Sequence, residues 1–204
     1  MVVPAPAVGF GAVVLSGGGG ARLGGADKAG IEVGDRTLLE HALEAVVDAG
    51  EVIVVGPEVP TSRPVTFTRE DPAGGGPAAG LVAGLRCFAR PAASVVVLAV
   101  DMPLVSPSTV RRLLDAAEGH DGAVLTDEGG RRQYLCAVYR TAALARAQGA
   151  SDAVEGHGLA MRDLVAGLDL ATVAEIGEES RDLDTWADLA ELRARFGEAP
   201  RPRG

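Results

Sequence analysis

The sequence predicts an α/β fold, a three-layer α/β/α arrangement with a mostly parallel sheet and an antiparallel addition in the C-terminal half. Three observations carry that expectation. Apolar, β-branched runs at 12–15, 52–55 and 95–100 alternate with helix-period segments, which is the pattern of βαβ units. Aromatic residues make up only 3% of an otherwise 47% apolar chain, so Val, Leu and Ala must fill the core, as they do between a parallel sheet and close-packed helices. After residue 122 the pattern changes: two short apolar runs flank the charged turn DEGGRR, which reads as an antiparallel pair.

The elements follow in order. The run FGAVVLS supplies a first strand at 12–15. A helix is expected over 38–49, with Leu39, Leu43, Val46 and Val47 on its apolar stripe, Glu40, Glu44 and Asp48 on its wet side, Thr37 and Glu40 as a capping box, and Gly50 as its end. Strands at 52–55 and 65–68 precede a second helix over 78–88. After the strand at 95–100, Ser106 at the N-cap with Pro107 at the first helical position opens a helix over 108–118. Strands at 122–126 and 133–139, helices near 142–147 and 158–164, a strand near 170–173 and a helix over 185–195 complete the chain. With 204 residues and no internal repeat or composition shift, a single domain over 8–198 is expected, in two halves over 8–101 and 102–198. The proline-punctuated start and the GEAPRPRG tail read as frayed ends, and the start lacks the basic region of a signal peptide.

A formal net charge of -9 argues against nucleic-acid and anionic-membrane partners, while leaving room for a locally positive nucleotide pocket. No apolar run approaches the roughly 18 residues that cross a bilayer. The two cysteines, Cys87 and Cys136, form no CxxC pair and read as core residues, which fits a reduced, cytoplasmic setting.

Four stretches suit chemistry. The first strand runs into GGGGARLGGADK. Its glycines let backbone N–H groups approach an anion, and Arg22 and Lys28 supply a bidentate and a mobile cation for a triphosphate. It is neither a P-loop, since GK[ST] is absent, nor a dinucleotide fingerprint, since Leu23 stands where the third glycine belongs. The same residues also suit a plain glycine turn with solvated charges. Asp101, in LAVDMP, ends the most hydrophobic strand, where ligands bind in open α/β sheets and a carboxylate can hold magnesium; a simple turn-starting Asp is the other reading. Asp182 and Asp184 lie two apart in RDLDTW; Asp184 suits a second metal carboxylate or an N-cap equally. The second glycine loop, DPAGGGPAAGL from Asp71, exposes backbone that can read a base edge, or serves packing alone. Arg131, Arg132 and Gln133 sit at a strand start and suit an anionic second substrate or a solvated turn. The histidines, His41, His120 and His157, are weak signals, and no zinc spacing or covalent nucleophile is evident.

With LSGGGGARLGGADK, EDPAGGGPAAGL, LAVDMP, GRRQYLCAVYR and DLDTWADL in this order and spacing, the chain resembles the MobA-like nucleotidyltransferase family almost end to end, and within it the molybdenum cofactor guanylyltransferases. The resemblance implies a Rossmann-like fold and a magnesium-dependent reaction in which GTP and molybdenum-bearing molybdopterin give the guanine dinucleotide cofactor and pyrophosphate. Carried onto this chain, it implies that Leu15, Gly17 and Gly18 frame the nucleotide, that Arg22 and Lys28 bind phosphate, and that Asp71, Gly76, Pro77 and Gly80 lie near guanine and ribose. It implies Asp101 and Asp184 as metal carboxylates, Arg22, Lys28 and Asp101 as the catalytic set, and Arg132, Gln133 and Asp182 on the acceptor side. Molybdopterin carrier proteins or target molybdoenzymes are the implied protein partners. Three departures stand out: Ser16 replaces the usual alanine, Trp186 the usual proline, and Asp182 and Asp184 replace amides of some members. Cytidylyl transfer to the same pterin, nucleotidyl transfer to another small acceptor, and a noncatalytic nucleotide-binding scaffold are the alternatives. An NAD-binding oxidoreductase is disfavoured by the missing fingerprint.

Overall fold

A computed structural model describes residues 9–17, 28–90, 92–150 and 156–196. Gly18, Arg22 and Asp27, and the two expected frayed ends, lie outside the described residues.

The strands are β1 (Gly11–Leu15), β2 (Glu32–Val33), β3 (Arg36–Thr37), β4 (Val52–Val55), β5 (Thr66–Thr68), β6 (Ser94–Ala99), β7 (Gly122–Thr126), β8 (Arg132–Arg140) and β9 (Leu170–Ala174). The helices are α1 (Leu38–Ala45), α2 (Gly76–Arg86), α3 (Pro107–Ala116), α4 (Thr141–Gly149), α5 (Met161–Leu164) and α6 (Trp186–Arg195). Seven strands form one sheet in the order β5–β4–β1–β6–β8–β7–β9, and β2 and β3 make a separate small hairpin. Every pairing in the large sheet is parallel except those of β8, which runs against both β6 and β7. The antiparallel addition is thus a strand inserted within the sheet, with β9 restoring the parallel direction beyond it.

Both faces of the sheet are covered, which is why its central strands read as unbroken apolar runs. Val13, Leu15, Val95 and Val97 point to a core closed by α2, α4 and α5 through Leu81, Leu144 and Leu164. Ala12, Val14, Val96 and Leu98 point to the opposite core, closed by α1, α3 and α6 through Leu39, Leu43, Leu113 and Leu189. The β7–β8 turn is set by its own residues: Asp127 Oδ1 accepts from the Arg131 amide at 2.8 Å, and Gly130 takes φ 78, a left-handed conformation that suits glycine.

Three expectations need correction. Helix α1 ends at Ala45, not 49, so Val47 leaves the core stripe and is 45% exposed. The Arg63 guanidinium stops it, donating to the carbonyls of Val46, Val47 and Ala49 at 3.1–3.2 Å. Thr37 does cap α1, accepting from the Glu40 amide at 3.1 Å, but the Glu40 carboxylate turns away to the amide and hydroxyl of Ser62, so the box is half made. Helix α5 is only four residues long, starting at Met161 rather than 158. By contrast Ser106 and Pro107 open α3 as expected, with Thr109 completing a reciprocal capping box.

Candidate active site

Strand β1 has β4 on one side and β6 on the other, so the chain leaves β1 in one direction and later returns to its opposite edge. At such a switch point the loops after neighbouring strands part and leave a crevice at their carboxyl ends. Here the crevice is a cleft of about 410 Å³. Its floor is Leu15, Ser16 and Gly17 after β1, Val55 ending β4, and Ala99, Val100 and Asp101 after β6; one wall is Glu70, Gly74, Gly76, Pro77 and Gly80 around the start of α2; Lys28 and Leu135 close it. The floor is stitched together by backbone: Ser16 and Gly17 donate to Val55, and Val100 donates to Leu15, each at 3.0 Å.

Three charges converge at the mouth. Lys28 Nζ donates to Asp101 Oδ2 at 2.8 Å and to Asp184 Oδ1 at 3.0 Å, joining residues 73 and 156 positions apart. The Lys28 and Asp101 side chains are 16% and 24% exposed, and Asp184 41%. Burial by itself would lower the Lys28 pKa, but hydrogen bonds and charge from Asp101 and then Asp184 outweigh it and raise it above the ordinary 10.5. The ammonium therefore stays charged throughout the neutral range.

Asp184 is available for this because it is not the N-cap of α6. Thr185 takes that place, accepting from the Asp188 amide at 3.2 Å, while Asp188 Oδ2 reaches back to the amides of Thr185 at 2.8 Å and Asp184 at 3.3 Å. Leu183, only 2% exposed, anchors the segment, and its amide donates to the Asp101 carbonyl at 2.8 Å. The two acidic residues are thus locked together through backbone as well as through Lys28.

The donor chemistry fits a small hard cation. Two carboxylates already share one positive charge, and magnesium commonly takes one or two carboxylates and completes its shell with phosphates and water. Among the described residues no group of three or more His, Cys, Asp or Glu is placed to hold a metal, so any such ion would rely on the substrate for the rest of its ligands.

Of the residues singled out in the sequence, Leu15, Gly17, Lys28, Gly76, Pro77, Gly80 and Asp101 come together in this cleft, and Asp184 joins them through Lys28. Asp71 is exposed beside Glu70, which is the acidic residue lining the wall. Asp182 points into a separate shallow hollow with Pro103, Leu104 and Arg181. Arg132 is exposed and Gln133 half-buried at the start of β8, opposite Thr126 and Leu125 and outside the cleft lining.

Sequence reading passed over Leu135. The register between β7 and β8 jumps from Val124 opposite Ala137 to Leu125 opposite Gln133, so residues 134–136 form a bulge on β8. A bulge re-aims side chains, and Leu135 lines the cleft. The buried Tyr139 hydroxyl secures the bulge by donating to the Tyr134 carbonyl at 2.9 Å.

Residues 12–169 match the family model of the MobA-like NTP transferase domain. The chain belongs to that family. A relative from Mycolicibacterium paratuberculosis, named a probable molybdenum cofactor guanylyltransferase, is 33% identical over 192 residues, covering 89% of this chain and 92% of its own. Molybdopterin-guanine dinucleotide biosynthesis protein A from Archaeoglobus fulgidus has the same fold, with a TM-score of 0.68 and 23% identity over 91% of this chain and 98% of that one. So does 2-C-methyl-D-erythritol 4-phosphate cytidylyltransferase from Thermus thermophilus, with a TM-score of 0.63 and 25% identity over 92% and 98%. Those two names carry different bases and acceptors; membership of the family gives nucleotidyl transfer, and the shared fold leaves base and acceptor to the cleft's details. Among its described residues no helix is long and apolar enough to cross a membrane.

Proposed function

We propose that this MobA-like NTP transferase moves GMP from GTP onto molybdenum-bearing molybdopterin, forming molybdopterin guanine dinucleotide and releasing pyrophosphate. The observation that carries the reading is the Lys28 ammonium held between Asp101 and Asp184 at the mouth of the switch-point cleft. The curated relative's name supplies the base and the acceptor.

A terminal phosphate oxygen of the acceptor attacks the α-phosphorus of GTP; the bond from that phosphorus to the bridging oxygen breaks, and pyrophosphate departs with the electron pair. A phosphate monoester is already an anion near neutral pH, so the site has no need of a general base. The work left to the protein is alignment and charge stabilisation. Lys28 meets the negative charge that builds on the phosphates, and Arg22 is assigned the same task. The glycines from Gly74 to Gly80 bring backbone N–H and C=O groups to the base edge. A magnesium ion, held by Asp101 and Asp184, would neutralise phosphate oxygens when bound. Arg132, Gln133 and Asp182 are assigned to the acceptor, with residues 8–101 forming the nucleotide half and 102–198 the acceptor half of one domain. Hand-over of the product is assigned to a carrier protein or molybdoenzyme, and a net charge of -9 speaks against a nucleic-acid partner.

The test is turnover with GTP labelled at the α-phosphorus and molybdopterin as acceptor. Label in a dinucleotide, with one pyrophosphate released per transfer, is the expected result. Label carried only from CTP would move the chain to cytidylyl transfer, and no transfer from any nucleotide in a protein that binds GTP would leave a nucleotide-binding scaffold.

A further inference from the structure

The wall of the cleft that faces the base is held from two sides. On one side Glu70 Oε1 accepts from the Gly74 amide at 3.2 Å, a constraint made within the loop itself. The other constraint comes from far along the chain. The turn Gly156–Gly158 crosses the start of α2, and the Gly158 amide donates to the Gly75 carbonyl at 2.9 Å. Gly156, at φ 77, lies so close to α2 that a Cβ there would sit 3.0–3.1 Å from the backbone of Ala78 and Ala79. Between them the His157 ring presses on Gly75: a Cβ at residue 75 would fall 2.4 Å from His157 Nδ1 and 2.5 Å from Cε1. Gly75 is buried, while Gly74 and Gly76 on either side of it are exposed and line the cleft.

A glycine-rich loop at a helix start has many backbone conformations of similar energy, and base reading by backbone needs one of them. The contacts above select one, and the element that selects it belongs to the half assigned to the acceptor. We propose that His157 is a positioning residue for nucleobase selection: its ring wedges against Gly75 and fixes the Gly74–Gly76 backbone that reads the base. This rests on the assignment of the cleft to a nucleoside triphosphate. The role is one of shape, since the contact is between the ring's edge and a Cα that carries no side chain.

The experiment compares wild type with His157→Ala, His157→Asn and His157→Phe, using GTP, CTP and ATP as probes. Equilibrium binding by calorimetry, kcat and KM, and thermal unfolding are read together. Removing the wedge is expected to weaken binding of the preferred nucleotide ~10-fold and to cut its selectivity over the other bases ~10-fold, with kcat little changed, because a displaced loop loses base-edge hydrogen bonds made equally in ground and transition states. His157→Phe keeps a planar ring and is expected to restore selectivity to within ~3-fold of wild type, with His157→Asn between. A merely structural role would lower Tm without altering the ratio between bases. Wild-type selectivity in a folded His157→Ala overturns the proposal; should that variant not fold, wild-type selectivity in His157→Asn does the same. Absence of nucleotide binding by the wild type itself would overturn the reading of the cleft, and the two failures are thereby told apart.

Discussion

Replacing Lys28 by methionine keeps an unbranched side chain, one heavy atom shorter, and removes its charge. The two carboxylate oxygens that it now holds at 2.8 and 3.0 Å can be no more than about 6 Å apart. Two unit charges at that separation repel by roughly 3 kcal/mol at an effective dielectric of 20 and by roughly 0.7 kcal/mol in water. With Asp101 24% and Asp184 41% exposed, about 1–2 kcal/mol is the appropriate range. That energy is relieved by any divalent cation entering between the carboxylates, and the ion no longer has an ammonium to displace. We predict that Lys28→Met binds Mn²⁺, in the absence of nucleotide, about tenfold more tightly than wild type. The same repulsion lowers Tm by about 2–8 °C in a chain of this size. Turnover moves the opposite way, falling by ~10²-fold or more, because the triphosphate loses a cation placed where charge develops. Mn²⁺ is titrated by electron paramagnetic resonance of the free ion. The fluorescence of Trp186, the single tryptophan, two residues from Asp184 and 56% exposed, serves as a second probe. Metal affinity in Lys28→Met no greater than in wild type would refute the electrostatic argument, even if turnover were lost.

Asp101→Asn should cut turnover at least ~10²-fold while leaving the fold in place, since the Leu183 amide contacts the Asp101 backbone carbonyl and not its side chain; unchanged kcat in the folded variant, measured by pyrophosphate release, would remove Asp101 from the mechanism. Tyr139→Phe strands the Tyr134 carbonyl and should cost about 1–3 kcal/mol in denaturant unfolding, with KM raised through Leu135; no change in either would mean that the bulge holds without the hydroxyl. The Thr185 hydroxyl, followed by the Thr185 and Asp184 amides, holds the Asp188 carboxyl below the usual 3.8, so its contribution is complete above that value and is lost as pH falls through the lowered pKa. Asp188→Asn should therefore lose stability at neutral pH and show a flatter acid limb below about pH 4, and a curve parallel to wild type down to pH 2 would contradict this.

The large sheet was legible because its central strands are buried on both faces, which leaves runs such as VVVLA with no polar interruption. The hairpin β2–β3 was not, because two-residue strands carry no period. The end of α1 was misjudged because the pattern continues through Val47, while the group that halts the helix is Arg63, sixteen residues on. In the cleft, Asp101 was readable from its place at the end of a strand. The choice between capping and site duty for Asp184 was not, because it turns on Thr185 and Asp188 forming the box themselves. His157 gave only a weak signal: its contact is with Gly75, and no local pattern joins residues so far apart. Lys28 was found as a cation next to glycines, but its two acidic partners come from the far ends of other segments.

The central claim is that the cleft between the ends of β1 and β6 receives a guanine nucleotide, with its phosphates on Lys28 and a divalent ion shared with Asp101 and Asp184. Calorimetric titration of GTP, CTP, ATP and NAD into the wild-type protein, each with and without magnesium, tests it most directly. The account predicts selective binding of GTP that strengthens with magnesium and is weakened in Lys28→Met. Equal binding of all four, binding indifferent to magnesium, or tight NAD binding without the ion would contradict it.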